Sequence, residues 1–197
     1  HLQKGSFTVI TGRVGSGKTT LLQALLGLLP AQSGQVYWNG GLVQQPGEFF
    51  VPPRSAFTPQ VPLLFSESLK ENILMGLPED YANIQEAIST AVLAEDVNEI
   101  PKGLSAVVGA KGVKLSGGQR QRIAAARMFV RQPSLLVFDD ISSALDVETE
   151  NKLWARIFDH QRDSTCLVVS HRKPALERAD QILILKEGRV EAVGKLH

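Results

Sequence analysis

The feature that most constrains this chain is a glycine-rich segment at residues 12–19, with the sequence GRVGSGKT. It fits the phosphate-binding pattern G-x-x-x-x-G-K-[ST] at every position. Residues 7–10 before it are β-branched or aromatic and predict a buried strand, whereas the Leu-rich residues 20–29 after it predict a helix. The order of strand, glycine turn and helix favours a phosphate loop, the name used below for residues 12–19, over an ordinary turn.

Each part of such a loop has a chemical task. The glycines let backbone N–H groups approach phosphate oxygens, and the helix N-terminus adds a partial positive charge. Lys18 is expected to bridge the β- and γ-phosphates, and the hydroxyl of Thr19 to ligate Mg²⁺. The residues predicted to contact the nucleotide are Gly12, Arg13, Val14, Gly15, Ser16, Gly17, Lys18, Thr19 and Thr20.

Composition is that of a globular protein, with 43% hydrophobic and 21% charged residues among 197. The net charge of +1 gives no reason to expect nucleic acid or a membrane surface as partner. No apolar run approaches the about 18 residues that span a bilayer. Cys166, the single cysteine, lies in an apolar run and predicts a buried, reduced thiol in a cytosolic compartment. The start at His1, just before the first strand, favours a chain cut from a longer polypeptide.

Hydrophobic patterning divides the chain into two kinds of segment. Strands and helices alternate in the first and last thirds, with strands predicted at 35–38, 55–58, 135–138, 166–169, 182–185 and 190–193 and helices at 147–160 and 174–178. Residues 39–53 are interpreted as an irregular connection. Such alternation predicts a mostly parallel sheet with helices on its faces.

The middle of the chain has a helical pattern. A helix start is predicted at residues 66–69, a helix whose buried face includes Ile84 and Val92 follows, residues 101–112 form a loop, and Ser116 caps a helix that runs to about Val130. We therefore predict an α/β fold: a P-loop NTPase core of residues 1–61 and 132–197, with an all-helical subdomain inserted at residues 62–131.

Two carboxylates follow the apolar run at 135–138. Asp139 is expected at the ligand edge of the sheet, where a phosphate-loop protein keeps a further Mg²⁺ ligand; the other interpretation is a helix-capping Asp. Asp140 either polarises the water that attacks the γ-phosphate or caps the following turn.

A second anion-receptive helix start occurs at residues 115–122, LSGGQRQR. Ser116 and two glycines open this helix, and the amides there resemble a second phosphate cradle. A single ATP needs only one cradle. Two cradles indicate that each serves a different nucleotide or that two chains share them, unless the segment is simply a well-capped helix.

Taken in order, these motifs resemble the nucleotide-binding domain of an ABC transporter over nearly the whole chain. The matches are a Walker A loop at 12–19, a Q-loop at Gln60, an LSGGQ signature at 115–119, a Walker B strand at 135–139, a D-loop at 143–146 and a switch histidine at His171. Residues 65–73 and 108–112 resemble the coupling region and the X-loop of exporters in particular.

The resemblance implies a composite site for ATP and Mg²⁺. Two such domains would pair head to tail, with each ATP between one phosphate loop and Ser116, Gly117, Gly118 and Gln119 of the other domain. Gln60 would contact Mg²⁺ and the attacking water and relay nucleotide state to a membrane domain. Asp146 would work across the interface, and His171 would hold the γ-phosphate.

The implied function is a Mg²⁺-dependent ATPase that powers export. Lys18, Gln60, Asp140 and His171 would carry catalysis, and Thr19, Gln60 and Asp139 would hold the metal. Its partners would be a second nucleotide-binding domain and a transmembrane domain, fused or separate, at the cytoplasmic face of the plasma or inner membrane. No nucleic-acid partner is expected.

The sequence departs from the family pattern at Asp140, where the family usually has Glu. Its side chain is one methylene shorter, which predicts slow hydrolysis with intact ATP binding. The family's adenine-stacking aromatic residue normally lies upstream of the first strand, so that contact is either missing or lies in a removed segment. Three alternatives stay open: a soluble ABC-type ATPase of DNA repair, chromosome structure or translation, a module that senses ATP without turnover, and a P-loop kinase, which would leave residues 115–119 unexplained.

Overall fold

The computed structural model describes residues 1–78, 83–109, 112–160 and 163–196. In this part of the chain a six-stranded sheet has the order β4-β5-β6-β1-β7-β8, and a two-stranded ribbon pairs β2 with β3. The strands are β1 (Phe7–Thr11), β2 (Val36–Trp38), β3 (Gly41–Val43), β4 (Ser55–Thr58), β5 (Leu135–Asp139), β6 (Thr165–Val169), β7 (Gln181–Lys186) and β8 (Arg189–Gly194).

The large sheet is mostly parallel. β1 lies between β6 and β7, β5 lies between β4 and β6, and all of these pairs are parallel, whereas β8 runs antiparallel to β7. The predicted α/β class is therefore confirmed. Because β4, β5, β6 and β1 run in the same direction, their carboxyl ends meet at one edge of the sheet, called the ligand edge below.

Helices account for the remaining elements. They are α1 (Lys18–Leu25), α2 (Pro46–Phe49), α3 (Leu69–Leu74), α4 (Ile84–Thr90), α5 (Ala94–Glu99), a 3₁₀ turn (Gly103–Ser105), α6 (Gly117–Phe129), α7 (Val147–His160) and α8 (Lys173–Glu177). The helices α3 to α6 lie between β4 and β5 in the chain, where the helical insertion is predicted. The division into subdomains at 62–131 stays a prediction.

Both faces of the sheet are buried, which explains why its central strands are uninterrupted apolar runs. Phe7 and Phe138 face a cluster that includes Trp154 of α7, and their rings lie 5.3 and 5.9 Å from the Trp154 ring. Ile10 and Val137 face the opposite side, with Leu22 of α1. Cys166 is buried as predicted, and burial raises the pKa of its thiol to about 12.

The interpretation of residues 39–53 as irregular is wrong. β3 pairs antiparallel with β2 in this segment, and α2 follows it. Asn39 and Gly40 at the tip have φ of 50° and 82°, as a two-residue hairpin turn requires. The ribbon is held by the ring of Trp38, which packs edge-on against Phe49 and Phe50.

Several helix bounds differ from the predictions. The first helix begins at Lys18 and ends at Leu25, and Gly27 with φ of 72° turns the chain, so the helix does not reach residue 29. α4 ends at Thr90, and Val92 with φ of 56° lies beyond it. α5 is a helix that the periodicity does not indicate. Residues 110–111 of the segment that resembles an X-loop lie outside the described residues. No described helix is long and apolar enough to cross a membrane.

Candidate functional site

The phosphate loop joins β1 to α1 at the ligand edge of the sheet. Its first residue, Gly12, has φ of 149°, and a Cβ there would lie 2.2 Å from the carbonyl oxygen of Leu185. A side chain at this position would therefore collide with the backbone of β7. Glycine is needed here for close approach as well as for backbone conformation.

The side chain of Lys18 folds back over the phosphate loop. Its Nζ donates to the carbonyl oxygens of Gly12 at 2.9 Å and Arg13 at 2.8 Å. The Oγ of Ser16 is buried and has no hydrogen-bond partner among the described residues. An ammonium group and an unpartnered hydroxyl in one glycine loop are suited to binding the oxygens of a phosphate chain.

Strand ends bring three predicted site residues to the ligand edge. Asp139 is the last residue of β5, and it pairs with Val169 of β6, which pairs in turn with Ile10 of β1. Asp139 is thus two strands from the start of the phosphate loop, about 10 Å. Gln60 and His171 follow β4 and β6 by two residues each, and both are exposed. The four parallel strands therefore bring together residues far apart in the sequence.

Asp139 combines burial with contacts to the phosphate loop. Only 3% of its surface is exposed. Burial raises the pKa of its carboxyl group, and the hydrogen bond with the Thr19 side chain and the charge of Lys18 oppose this, while the neighbouring Asp140 adds to it. The predicted metal ligands Thr19 and Asp139 are therefore adjacent.

Asp140 has a strained backbone and a partly unsatisfied carboxylate. Its φ is 52°, in the left-handed region, and its N–H donates to the carbonyl of Val169 at 3.0 Å. One carboxylate oxygen, Oδ2, accepts from Gln60 Nε2 at 3.3 Å. The other, Oδ1, is buried and has no partner among the described residues. Strain of this kind is concentrated at functional sites, and this geometry favours the predicted contact with water over a turn cap.

The start of α6 is a well-capped helix. Ser116 Oγ accepts from the N–H of Gln119 at 3.1 Å, and Gln119 Oε1 accepts from the N–H of Ser116 at 2.8 Å. Gln119 Nε2 donates to Asp96 at 2.9 Å. The single chain thus caps this helix within itself, and Ser116 itself is exposed. Gly117 and Gly118 lie against Ala144 and the following residue.

Asp146 also acts as a helix cap. Its carboxylate accepts from the N–H of Thr149 at 2.9 Å and from the Thr149 hydroxyl at 2.7 Å. The hydrogen bond from the Thr149 side chain is the main cause that lowers the pKa of Asp146. The side chain is exposed, directly before the first residue of α7.

The sequence analysis did not predict the hydrogen bonds that two polar side chains, Arg172 and Gln121, make at the site. Arg172, next to His171, donates to the fully buried Glu150 at 2.8 Å and to the carbonyls of Ser142 at 2.7 Å and Leu145 at 2.9 Å. Gln121, two residues after the LSGGQ segment, is buried between loops. Neither residue type indicates these partners, because all of them are distant in sequence.

The residues present fit a nucleotide with Mg²⁺. The described residues contain no group of three His, Cys, Asp or Glu that could hold a metal by itself. Mg²⁺ at phosphate sites is held by one or two carboxylates together with the phosphates. Asp139 and the Thr19 hydroxyl supply such a partial set beside the phosphate loop, and the orphaned Oδ1 of Asp140 lies at the same edge.

A phosphate loop between the first strand and first helix of the sheet, with carboxylates at the end of β5, defines a P-loop nucleotide-binding domain. Residues 1–143 match the family described as ABC transporter. The chain therefore belongs to the ABC transporter family, and ATP hydrolysis is the activity of this family.

Similar proteins point to the same family. A putative export ATP-binding/permease protein of Rickettsia bellii is 39% identical over 95% of this chain, and an ATP-dependent lipid A-core flippase of Pectobacterium atrosepticum is 35% identical over 96%. A solved bacterial Atm1-family ABC exporter with ATP bound has a TM-score of 0.89 and 29% identity over 98% of this chain. The chain spans only 33% of the length of each of the two relatives and 34% of the exporter chain.

Proposed function

We propose that this domain hydrolyses ATP with Mg²⁺ and thereby drives export through a membrane partner. The observation that carries the proposal is the ligand edge, where the phosphate loop, the Thr19–Asp139 pair and the Gln60–Asp140 pair lie at neighbouring strand ends. This arrangement supports binding of a triphosphate at one end and activation of water at the other.

Each side chain has a task in this mechanism. Lys18 leaves the carbonyls of Gly12 and Arg13 and pairs with phosphate oxygens, while the loop amides stabilise the charge that develops there. Thr19 and Asp139 hold Mg²⁺, which neutralises phosphate charge when bound. Asp140 accepts a hydrogen bond from the attacking water through Oδ1, and Gln60 orients the carboxylate through Oδ2. His171 holds the γ-phosphate.

Hydrolysis in this site is expected to be slow. The carboxylate of Asp140 is one methylene shorter than the Glu usual in the family, so it is further from the water. ATP binding depends on the phosphate loop and is expected to be normal. The same shortening favours, as a second candidate, a module that senses ATP and dimerises on it without releasing phosphate.

A second nucleotide-binding domain is the expected partner at the nucleotide. Ser116 and Asp146 are exposed, which leaves them accessible to another domain. In the composite site Ser116, Gly117, Gly118 and Gln119 of one domain would contact the triphosphate held by the phosphate loop of the other, and Asp146 would work across the interface.

A transmembrane domain is the expected partner beyond Gln60. The apolar side chains of Val61, Leu63 and Phe65 are 73%, 79% and 53% exposed, which supports a docking surface directly after the Q-loop. The similar proteins named above are export, permease and flippase proteins, which favours this partner over the soluble ATPase of DNA repair or translation. The domain would then lie at the cytoplasmic face of the plasma or inner membrane.

Substitution of Lys18 tests the function. Lys18→Ala should weaken ATP binding, measured by titration calorimetry with Mg²⁺, and abolish phosphate release. The control is Lys152→Ala, which removes an exposed lysine paired with Glu148 on α7. Unchanged ATP affinity and turnover in Lys18→Ala would refute the assignment. ATP-dependent dimerisation without phosphate release in the parent would favour the sensing module instead.

A further inference from the structure

Gln121 is a buried amide between the helix α6 and two loops of the ligand edge. It lies in the first turns of α6, and only 3% of its surface is exposed. It lies two residues beyond the LSGGQ signature at 115–119, and no role is assigned to it above. A polar side chain buried this deeply costs free energy unless its hydrogen bonds are made.

The contacts of Gln121 reach both loops. Its Oε1 accepts from the backbone N–H of Ala144 at 3.1 Å, and its Nε2 donates to Ser143 Oγ at 2.7 Å. The same Nε2 lies 3.4 Å from the carbonyl oxygen of Gln60 and 3.5 Å from that of Asp140. Because an N–H can only donate, the Ala144 contact decides which end of the amide is oxygen.

These contacts reach the two residues that the proposed function assigns to the attacking water. Gln60 and Asp140 follow different strands, 80 residues apart in sequence, and their side chains meet at 3.3 Å. The amide of Gln121 contacts the backbone carbonyls of both residues. Two amide hydrogens serve three acceptors here, so the carbonyls of Gln60 and Asp140 share one of them.

The same end of α6 packs directly on the loop that Gln121 binds. A Cβ on Gly118 would lie 3.0 Å from the carbonyl oxygen of Ala144 and 3.1 Å from a methyl of Leu145. Residues 116–119 and the loop after Asp140 are therefore in close contact, and the Gln121 amide fixes their register.

We propose that Gln121 is a positioning residue for ATP hydrolysis, which sets the backbones of Gln60 and Asp140 relative to each other and to the start of α6. This role rests on the proposed function. It affects the hydrolytic step, and binding of ATP to the phosphate loop should be retained, because none of the hydrogen bonds of this amide reaches Lys18 or the glycines of that loop. Displacement of a catalytic carboxylate by 1 Å lowers a rate by about a hundredfold, so a lost register is measurable.

Two variants test the role in the full chain. Gln121→Met keeps length and burial but removes all of the hydrogen bonds. Ser143→Ala removes the shortest of these hydrogen bonds. Ser143 is exposed, so this substitution is not expected to cause misfolding. The matched control is Arg131→Met, two residues after the end of α6, which removes hydrogen bonds to the carbonyls of Leu74 and Met75, away from the ligand edge.

The measurements are kcat for phosphate release at saturating Mg²⁺-ATP, the Kd for ATP and the midpoint of thermal unfolding. We expect kcat to fall about tenfold or more in Gln121→Met and by a smaller factor in Ser143→Ala. The Kd should stay within about twofold of the parent, and Arg131→Met should retain its kcat even where its unfolding midpoint falls.

Other results would overturn the role. Unchanged kcat in both variants would do so, as would a fall in kcat matched by Arg131→Met at an equal loss of stability, because the amide would then be merely structural. A parent that binds ATP but releases no phosphate would contradict hydrolysis itself, and with it this role. A parent that binds no ATP would contradict the proposed function at its first step.

Discussion

Asp140→Glu is the substitution that most directly tests whether the length of the side chain at position 140 limits hydrolysis. The parent carboxylate has Oδ2 on Gln60 and an unpartnered, buried Oδ1. An added methylene extends the side chain towards the space that the water would occupy and restores the residue that is usual in the family. We expect ATP turnover to rise.

The size of the rise follows from geometry. Extension by one methylene moves the carboxylate by about 1 Å, and a displacement of that size changes a rate by about a hundredfold. A hundredfold change corresponds to about 2.7 kcal/mol of transition-state stabilisation.

An opposing cost arises in the backbone. Asp140 has φ of 52°, and Asp tolerates the left-handed region better than Glu. We expect the variant to lose about 1 kcal/mol of folding free energy, which lowers the unfolding midpoint by about 2–4 °C in a domain of this size. A loss of this size leaves the domain folded, so the gain in turnover can be measured.

The assay is phosphate release at saturating ATP and Mg²⁺, with thermal unfolding measured on the same samples. Asp140→Asn is the control, because it keeps the length of the side chain and removes its charge; its turnover should fall below that of the parent. Equal or lower turnover in Asp140→Glu, with the fold intact, would refute the idea that the length of this side chain limits hydrolysis.

Two further predictions concern groups beside the phosphate. Burial raises the pKa of Asp139, so its ionised form opposes folding at neutral pH. Asp139→Asn should therefore raise the unfolding midpoint at pH 7, and this gain should vanish as the pH falls to the ordinary Asp pKa of 3.8. Hydrolysis should be lost at every pH. A gain that persists in acid would contradict the cause. Gly12→Ala should destabilise the fold by about 3 kcal/mol because its Cβ would meet the Leu185 carbonyl at 2.2 Å, whereas Gly15→Ala, with nothing within 4 Å of the Cβ and φ of 80°, should cost about 1 kcal/mol; equal losses in chemical denaturation would refute this distinction.

Features encoded by neighbouring residues could be predicted from the sequence. The phosphate loop has its lysine, threonine and glycines at fixed spacing, and β5 and β6 are apolar because both faces of the sheet are covered. The bounds of α7 were predicted as they are found, since its apolar positions recur at helical spacing.

The short elements of the middle and early chain could not be predicted in this way. β3 has three residues and α2 has four, too few for a period to be recognised. The turn signal Asn39–Gly40 was present, but it marks a hairpin only when strands on both sides are recognised. α5 was missed because it has only six residues and none of their side chains is buried.

The loop after Asp139 shows why site geometry is harder to predict than site membership. Its backbone is held from three other places: by the side chain of Gln121 at Ala144, by the side chain of Arg172 at Ser142 and Leu145, and by the backbone carbonyl of Val169 at the N–H of Asp140. None of these partners is adjacent in sequence, so the left-handed conformation of Asp140 is imposed by tertiary contacts. Motif spacing could therefore identify Asp140 as a site residue, whereas the direction of its carboxylate depends on residues that no motif includes.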